Sequence, residues 1–212
     1  MTVAQKLAKH LLDIQAIKLS PTQPFTWASG MKSPIYCDNR MTLSYPEVRN
    51  FVKKELSELA KSFGDFDGIA GVATAGIAHG ALIADELGLP FIYVRSKAKG
   101  HGRQNLIEGN ISAANKYIVV EDLISTGGSS IQAVNALKEE GVTIVGTVAL
   151  FTYEFEKSVK NFADAGCLFK TLSNYSTMLE QAEENNYITP KEKEILNNWN
   201  ADPQKWAASF AN

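Results

Sequence analysis

Residues 117–130 read YIVVEDLISTGGSS, where an apolar run meets adjacent carboxylates, a turn of hydroxyls and glycines, and an amphipathic stretch carrying Ile131, Val134 and Leu137. Glycines let a backbone turn its N–H groups inward with no Cβ in the way, and the free amides of a helix N-terminus favour an anion. Ser125, Thr126, Gly127, Gly128 and Ser129 therefore read as a cup for one phosphate. A triphosphate loop needs a lysine after the second glycine of GxxxxG. GVATAG at 71–76 has the glycine spacing but places Ile77 at the lysine position, and GxGxxG is missing.

Glu121 and Asp122 stand directly before the cup, at the end of a run that reads as buried strand, where an unpaired carboxylate is costly. Two readings stay open. The pair could cap the next helix or meet a lysine; alternatively it could accept hydrogen bonds from vicinal hydroxyls and face a centre that turns positive during reaction. A phosphorylated sugar would satisfy carboxylates and cup together. A third set of groups lies in the long connection after Val94, where Arg95, Lys97, Lys99, His101 and Arg103 alternate with small residues. Such a connection is either a solvated charged loop or a cationic lid closing over a diphosphate.

The elements that must hold these loops emerge from periodicity. Short β-branched runs at 67–72, 90–94, 117–120 and 143–151 alternate with helical patterns at 76–87 and 129–140. That alternation predicts an α/β fold with a central, mostly parallel twisted sheet and helices on both faces, binding its ligands at the carboxyl ends of the strands. Ahead of it, Val3, Leu7, Leu11, Leu12 and Ile14 recur at helical spacing, and 18–40, with Pro21, Pro24 and Pro34, reads as a small irregular hood. A helix is expected from Ser44, with Ser44 and Glu47 as its capping box. CLFKTLSN at 167–174 reads as a last strand, with helices near 174–186 and 190–199 and with Trp199, Trp206 and Phe210 packing them onto the body. The expected organisation is effectively one domain: helix and hood over 1–42, core over 43–170, and a C-terminal helical segment over 171–212, in which no functional signal is visible.

Composition narrows the function. The chain has 212 residues, 45% hydrophobic and 21% charged, with formal net charge −2, so no global positive field draws it to nucleic acid or an acidic membrane. Cys37 and Cys167 match no metal or redox spacing and read as reduced and partly buried. The N-terminus lacks a signal-peptide pattern and no apolar run reaches the ~18 residues of a membrane span, so a cytoplasmic protein is expected. His10 reads as a solvated residue of the first helix. His79 could approach a ligand or merely cover the sheet.

VVEDLISTGGS resembles the 5-phosphoribosyl-1-diphosphate (PRPP) binding motif of the type I phosphoribosyltransferases. FTWASGMKSPIYCDNR, RSKAKGHGRQNLIEG and the spacing of all three motifs resemble the orotate phosphoribosyltransferases over most of the chain. The resemblance implies Mg²⁺-dependent transfer of the phosphoribosyl group from PRPP to orotate in pyrimidine synthesis. It assigns PRPP to Arg95, Lys99, His101 and 121–129, including Leu123 and Ile124; Lys99, Glu121 and Asp122 carry the chemistry, and Ser125 also touches orotate. It further implies a homodimer in which Arg95, Lys99 and His101 reach the neighbouring subunit's site. Mg²⁺ would be held mainly by PRPP oxygens and water, with no all-protein metal site. One branch of the family has lysines where this chain aligns Ala28, Ala75 and Ser96, and an arginine for the base carboxylate where this chain has FTYEFEK. Lys32 or Arg40 in the hood is therefore the expected partner of the orotate carboxylate, with Arg40 as a structural anchor the competing reading. Two rivals remain: the same transfer to another nucleobase, and a PRPP-sensing regulator without catalysis.

Overall fold

The computed structural model describes residues 1–27, 30–97 and 106–210. Helix α1 (Val3–Asp13) opens on a capping box between Thr2 and Gln5 and buries Leu7, Ala8, Leu11 and Leu12. The hood follows as two antiparallel pairs: β1 (Ile17–Leu19) with β4 (Ile35–Cys37), and β2 (Phe25–Thr26) with β3 (Lys32–Ser33). A 3₁₀ turn over Asn39–Ser44 leads to α2 (Pro46–Lys61).

Contrary to the capping box expected at Ser44, the N-cap of α2 is Tyr45 and no side chain caps it. Ser44 is absorbed by the 3₁₀ turn, and Pro46 takes the first helical position, where its fixed φ and missing N–H suit a helix start. His10 also differs from expectation: it is half-buried, its ring edge-on to Phe51 of α2 at 5.4 Å.

The core alternates β5 (Gly68–Val72), α3 (Ala75–Leu87), β6 (Phe91–Val94), β7 (Ile107–Glu108), β8 (Lys116–Ile124), α4 (Gly128–Glu139), β9 (Thr143–Thr152), α5 (Glu156–Asp164) and β10 (Phe169–Asn174). The sheet order is β10-β9-β8-β5-β6-β7, parallel throughout except for β7 on β6. Apolar clusters line both faces, as a parallel sheet requires. Three helices close the chain: α6 (Tyr175–Glu184), α7 (Pro190–Ala201) and α8 (Pro203–Ala208). Trp199 is fully buried, whereas Phe210 is 38% exposed and packs on Trp206 rather than on the body.

Two boundaries bear on the site. Strand β8 runs past Val120 to Ile124, because the long β9 offers it partners through Leu123↔Phe151 and Ile124↔Thr152. Both carboxylates thus lie within a strand and not in a loop. Helix α5 is absent from the periodic pattern, since its Val159 is exposed and only Ser158 and Phe162 are buried.

Candidate active site

Strands β5, β6 and β8 run parallel, and the first residues beyond the carboxyl ends of β5 and β6, Ala73, Arg95 and Ser96, border one small hollow with Ser129, which follows β8. Gly76 lets the first turn of α3 press against β8: a Cβ there would meet the carbonyl oxygen of Val120, one residue before Glu121.

The cup is built by β8, α4 and α5 together. Gly127 is the N-cap of α4 with φ 80°, in the left-handed region, and a Cβ on it would come within 2.7 Å of the Phe162 ring. Asn161 of α5 donates through Nδ2 to the Thr126 carbonyl at 2.9 Å, which fixes the turn from outside. No side chain caps α4, so its first-turn amides remain available to an anion.

The two carboxylates part company. Glu121 is only 5% exposed; it accepts from Ser129 Oγ at 3.0 Å, from Ser130 Oγ at 3.2 Å and from the Asp122 amide at 3.1 Å. Burial, and next the neighbouring Asp122 charge, pushes its carboxyl well above the usual carboxylate range. Asp122 is half-buried and is also pushed up, chiefly by burial. A cation arriving beside the pair would reverse both shifts. Glu121 therefore joins the strand to the start of α4, while Asp122 is the less buried of the two and its carbonyl is held by Asn39.

Between hood and cup lies a cavity of about 280 Å³, lined by Thr26, Trp27, Tyr36, Cys37, Leu123, Ser125 and Tyr153. Trp27 and Tyr153 stack with centroids 6.0 Å apart at 19°. The volume lies just below the range of drug-sized ligand pockets and suits one small planar ring. Burial, then the Asp122 charge, holds the Cys37 thiol well above its ordinary value, so it lines the cavity as a neutral group. Its Sγ donates to Asn39 Oδ1 at 3.3 Å, and Asn39 Nδ2 donates to the Asp122 carbonyl at 2.8 Å. That relay ties the cavity wall to the backbone of β8 at Asp122.

The expected residues fall into three groups. Leu123 and, from the cup, Ser125 line the cavity, and Lys32 donates at 2.9 Å to Oγ1 of Thr26, itself a lining residue. Others are committed elsewhere. Arg40 grips Asp38 through two bonds of 2.7 and 2.9 Å, and Ile124 buries its side chain while its carbonyl takes the Tyr153 amide at 3.1 Å. Arg95 pairs with Glu108 at 3.2 Å, yet also borders a small hollow shared with Ser96 and Ser129. Lys99, His101 and Ser29 lie outside the described residues. His79 is 1% exposed in α3, and burial lowers it to about 4. It covers the sheet. Sequence reasoning missed Asn39, Tyr36, Tyr153, Ser130 and Asn161; of these only the aromatics carried a signal, as bulky residues beside the site loops.

Among the described residues no group of three or more His, Cys, Asp or Glu could cage a metal. A half-buried carboxylate beside an anion cup is nonetheless a donor set that fits Mg²⁺, which takes one or two carboxylates together with substrate phosphates and keeps several waters.

Comparison with known proteins gives this geometry its family. Residues 43–176 match the phosphoribosyl transferase domain. The chain is 54% identical to the orotate phosphoribosyltransferase of Enterococcus faecalis over 96% of this chain and 98% of that one. It is 53% identical to that of Streptococcus pneumoniae, over 97% of this chain and 99% of the other. The crystal structure of the orotate phosphoribosyltransferase from Aeropyrum pernix superposes with a TM-score of 0.74 at 26% identity, covering 86% of this chain and 99% of that one. With its sheet, hood and phosphate cup in place, the chain belongs to the orotate phosphoribosyltransferases of the type I phosphoribosyltransferase family.

Proposed function

We propose that the protein transfers the 5-phosphoribosyl group of PRPP to N1 of orotate, giving orotidine 5′-monophosphate and diphosphate, with the roles set out below. The single observation that carries this reading is the placement of a ring-sized aromatic cavity directly against a phosphate cup, with Ser125 belonging to both. One ligand spanning the two must carry a planar base at one end and a phosphate at the other.

The backbone of 125–129 and the N-terminus of α4 hold the 5′-phosphate. Asp122 faces the ribose hydroxyls, and Glu121 anchors it from behind through Ser129 and Ser130. Orotate lies in the aromatic cavity, against the edge of the stacked Trp27 and Tyr153 rings and beside Tyr36 and Leu123. Lys32 takes its carboxylate, because among the described residues its ammonium is bonded only to the neutral hydroxyl of Thr26, a lining residue, whereas the Arg40 guanidinium is held by the Asp38 carboxylate. When N1 bonds to the anomeric carbon, the bond to the diphosphate breaks with its electron pair going to the diphosphate oxygen, the N1 proton passes to the departing diphosphate or to water, and the sugar passes through an oxocarbenium-like state. The Asp122 carboxylate stabilises that positive charge in a site shielded from water. Arg95 and Lys99 favour the departing diphosphate. Asp122 is the residue that would help to hold a Mg²⁺ brought by PRPP, which would supply charge neutralisation for the diphosphate. A homodimer in which Arg95, Lys99 and His101 complete the partner's site, and a cytoplasmic location, complete the proposal.

The test is a panel of bases assayed with PRPP and Mg²⁺. Orotate should be consumed and adenine, guanine, hypoxanthine and uracil should not. Faster turnover of another base would replace this reading with that of a different phosphoribosyltransferase, and PRPP binding without turnover of any base would point to a regulator.

A further inference from the structure

Helix α7 packs behind two of the rings that line the aromatic cavity. Trp199 of α7 is fully buried and meets Tyr153 edge-on at 5.6 Å and Trp27 edge-on at 6.0 Å. These are the two rings whose stack lines the cavity. Next to it, Asn200 Nδ2 donates to the Tyr153 carbonyl at 2.7 Å. Tyr175 and Phe155 fill the remaining sides of Trp199 with centroids at 5.5 and 5.7 Å. Helix α8 then lies against β3, the hood strand that carries Lys32.

Core packing alone explains a buried tryptophan, but it does not explain where these contacts end. Tyr153 follows the last residue of β9, so its backbone is outside the sheet ladder on that side and draws its position from the Ile124 carbonyl and from Asn200. Trp27 sits in the hood, whose strand pairs are only two or three residues long. Trp27 is also held within the hood, its Nε1 donating to the Ile35 carbonyl at 3.0 Å, and Trp199 of α7 is the neighbour that both rings share.

We propose that Trp199 and Asn200 are positioning residues for base recognition. By fixing the stacked Tyr153 and Trp27 rings they set the wall against which the base lies and hence the affinity for the base, with no role at the phosphate cup. This rests on the reading that the aromatic cavity takes the base.

The experiment measures KM for orotate and for PRPP separately in Asn200→Asp, which keeps the shape of the side chain and removes its donor, and in Trp199→Phe, which keeps an aromatic filler. Each should raise KM for orotate about threefold to tenfold, the range of one lost hydrogen bond or misplaced ring, and leave KM for PRPP within about twofold. An unchanged orotate KM in both variants, or equal increases for both substrates, overturns the proposal. Trp27→Leu serves as the control for the cavity. If it raises orotate KM while Asn200→Asp and Trp199→Phe do not, the positioning role fails and the cavity reading stands. If Trp27→Leu itself leaves orotate KM unchanged, the base lies elsewhere and both fall.

Discussion

His79→Leu tests how strongly the α3 face of the sheet excludes charge. The imidazole is 1% exposed, and its Nε2 has no hydrogen-bond partner among the described residues. Burial lowers it from 6.5 to about 4, so the folded protein holds it neutral. As the pH falls below 6.5 the unfolded chain takes up a proton that the folded chain refuses until about pH 4, and stability is lost across that window. Between pH 8 and pH 5 the loss is about 2 kcal/mol. Glu121 and Asp122, pushed the other way, oppose this trend but are common to wild type and variant, so they cancel in the difference. Urea unfolding of both proteins at pH 8 and pH 5 should show the stability of His79→Leu relative to wild type improving by about 2 kcal/mol on acidification, or about 4–8 °C in Tm. A stability difference that is the same at the two pH values would show that the imidazole titrates normally and that the face is not closed to water.

Lys32→Ala should raise KM for orotate about tenfold or more, the loss of a charge-assisted contact, and leave KM for PRPP unchanged, while Arg40→Ala should leave orotate KM nearly unaltered. Initial-rate kinetics with each substrate varied separate the two, and the reverse pattern would assign the carboxylate to Arg40. Gly127→Ala places a Cβ 2.7 Å from the Phe162 ring at a φ of 80°, so it should lower kcat/KM for PRPP and reduce stability by about 1–3 kcal/mol, as read by kinetics and urea melts. Asn39→Ala leaves the Asp122 carbonyl without its side-chain donor and should destabilise by about 1–3 kcal/mol while lowering kcat, since the carboxylate on the same residue loses its anchor.

The sequence carried the alternation of strand and helix clearly, because fully buried parallel strands must read as continuous β-branched runs and their helices as amphipathic stretches. The cup was legible for the same reason: only residues 125–129 combine hydroxyls and glycines at a strand-to-helix turn. What stayed hidden depends on register and distance. Nothing local shows that Glu121 turns to Ser129 and Ser130 while Asp122 turns away from them, since a continuation of β8 against β9 decides it. Asn39 reaches Asp122 across 83 positions, and Asn200 reaches Tyr153 across 47, and no periodic pattern encodes such pairs. The capping box expected at Ser44 failed because Pro46 favours a helix start one residue later than a serine and glutamate spacing suggests.

The most direct test is the stoichiometry of the reaction itself. Purified protein is mixed with orotate, PRPP and Mg²⁺; orotate loss is followed by absorbance, and orotidine 5′-monophosphate and diphosphate are quantified. The expected result is one of each product per orotate consumed, with Lys99→Ala strongly slowed. Orotate left intact, or diphosphate released without the nucleotide, would contradict the assignment of cup and cavity to the two ends of one product.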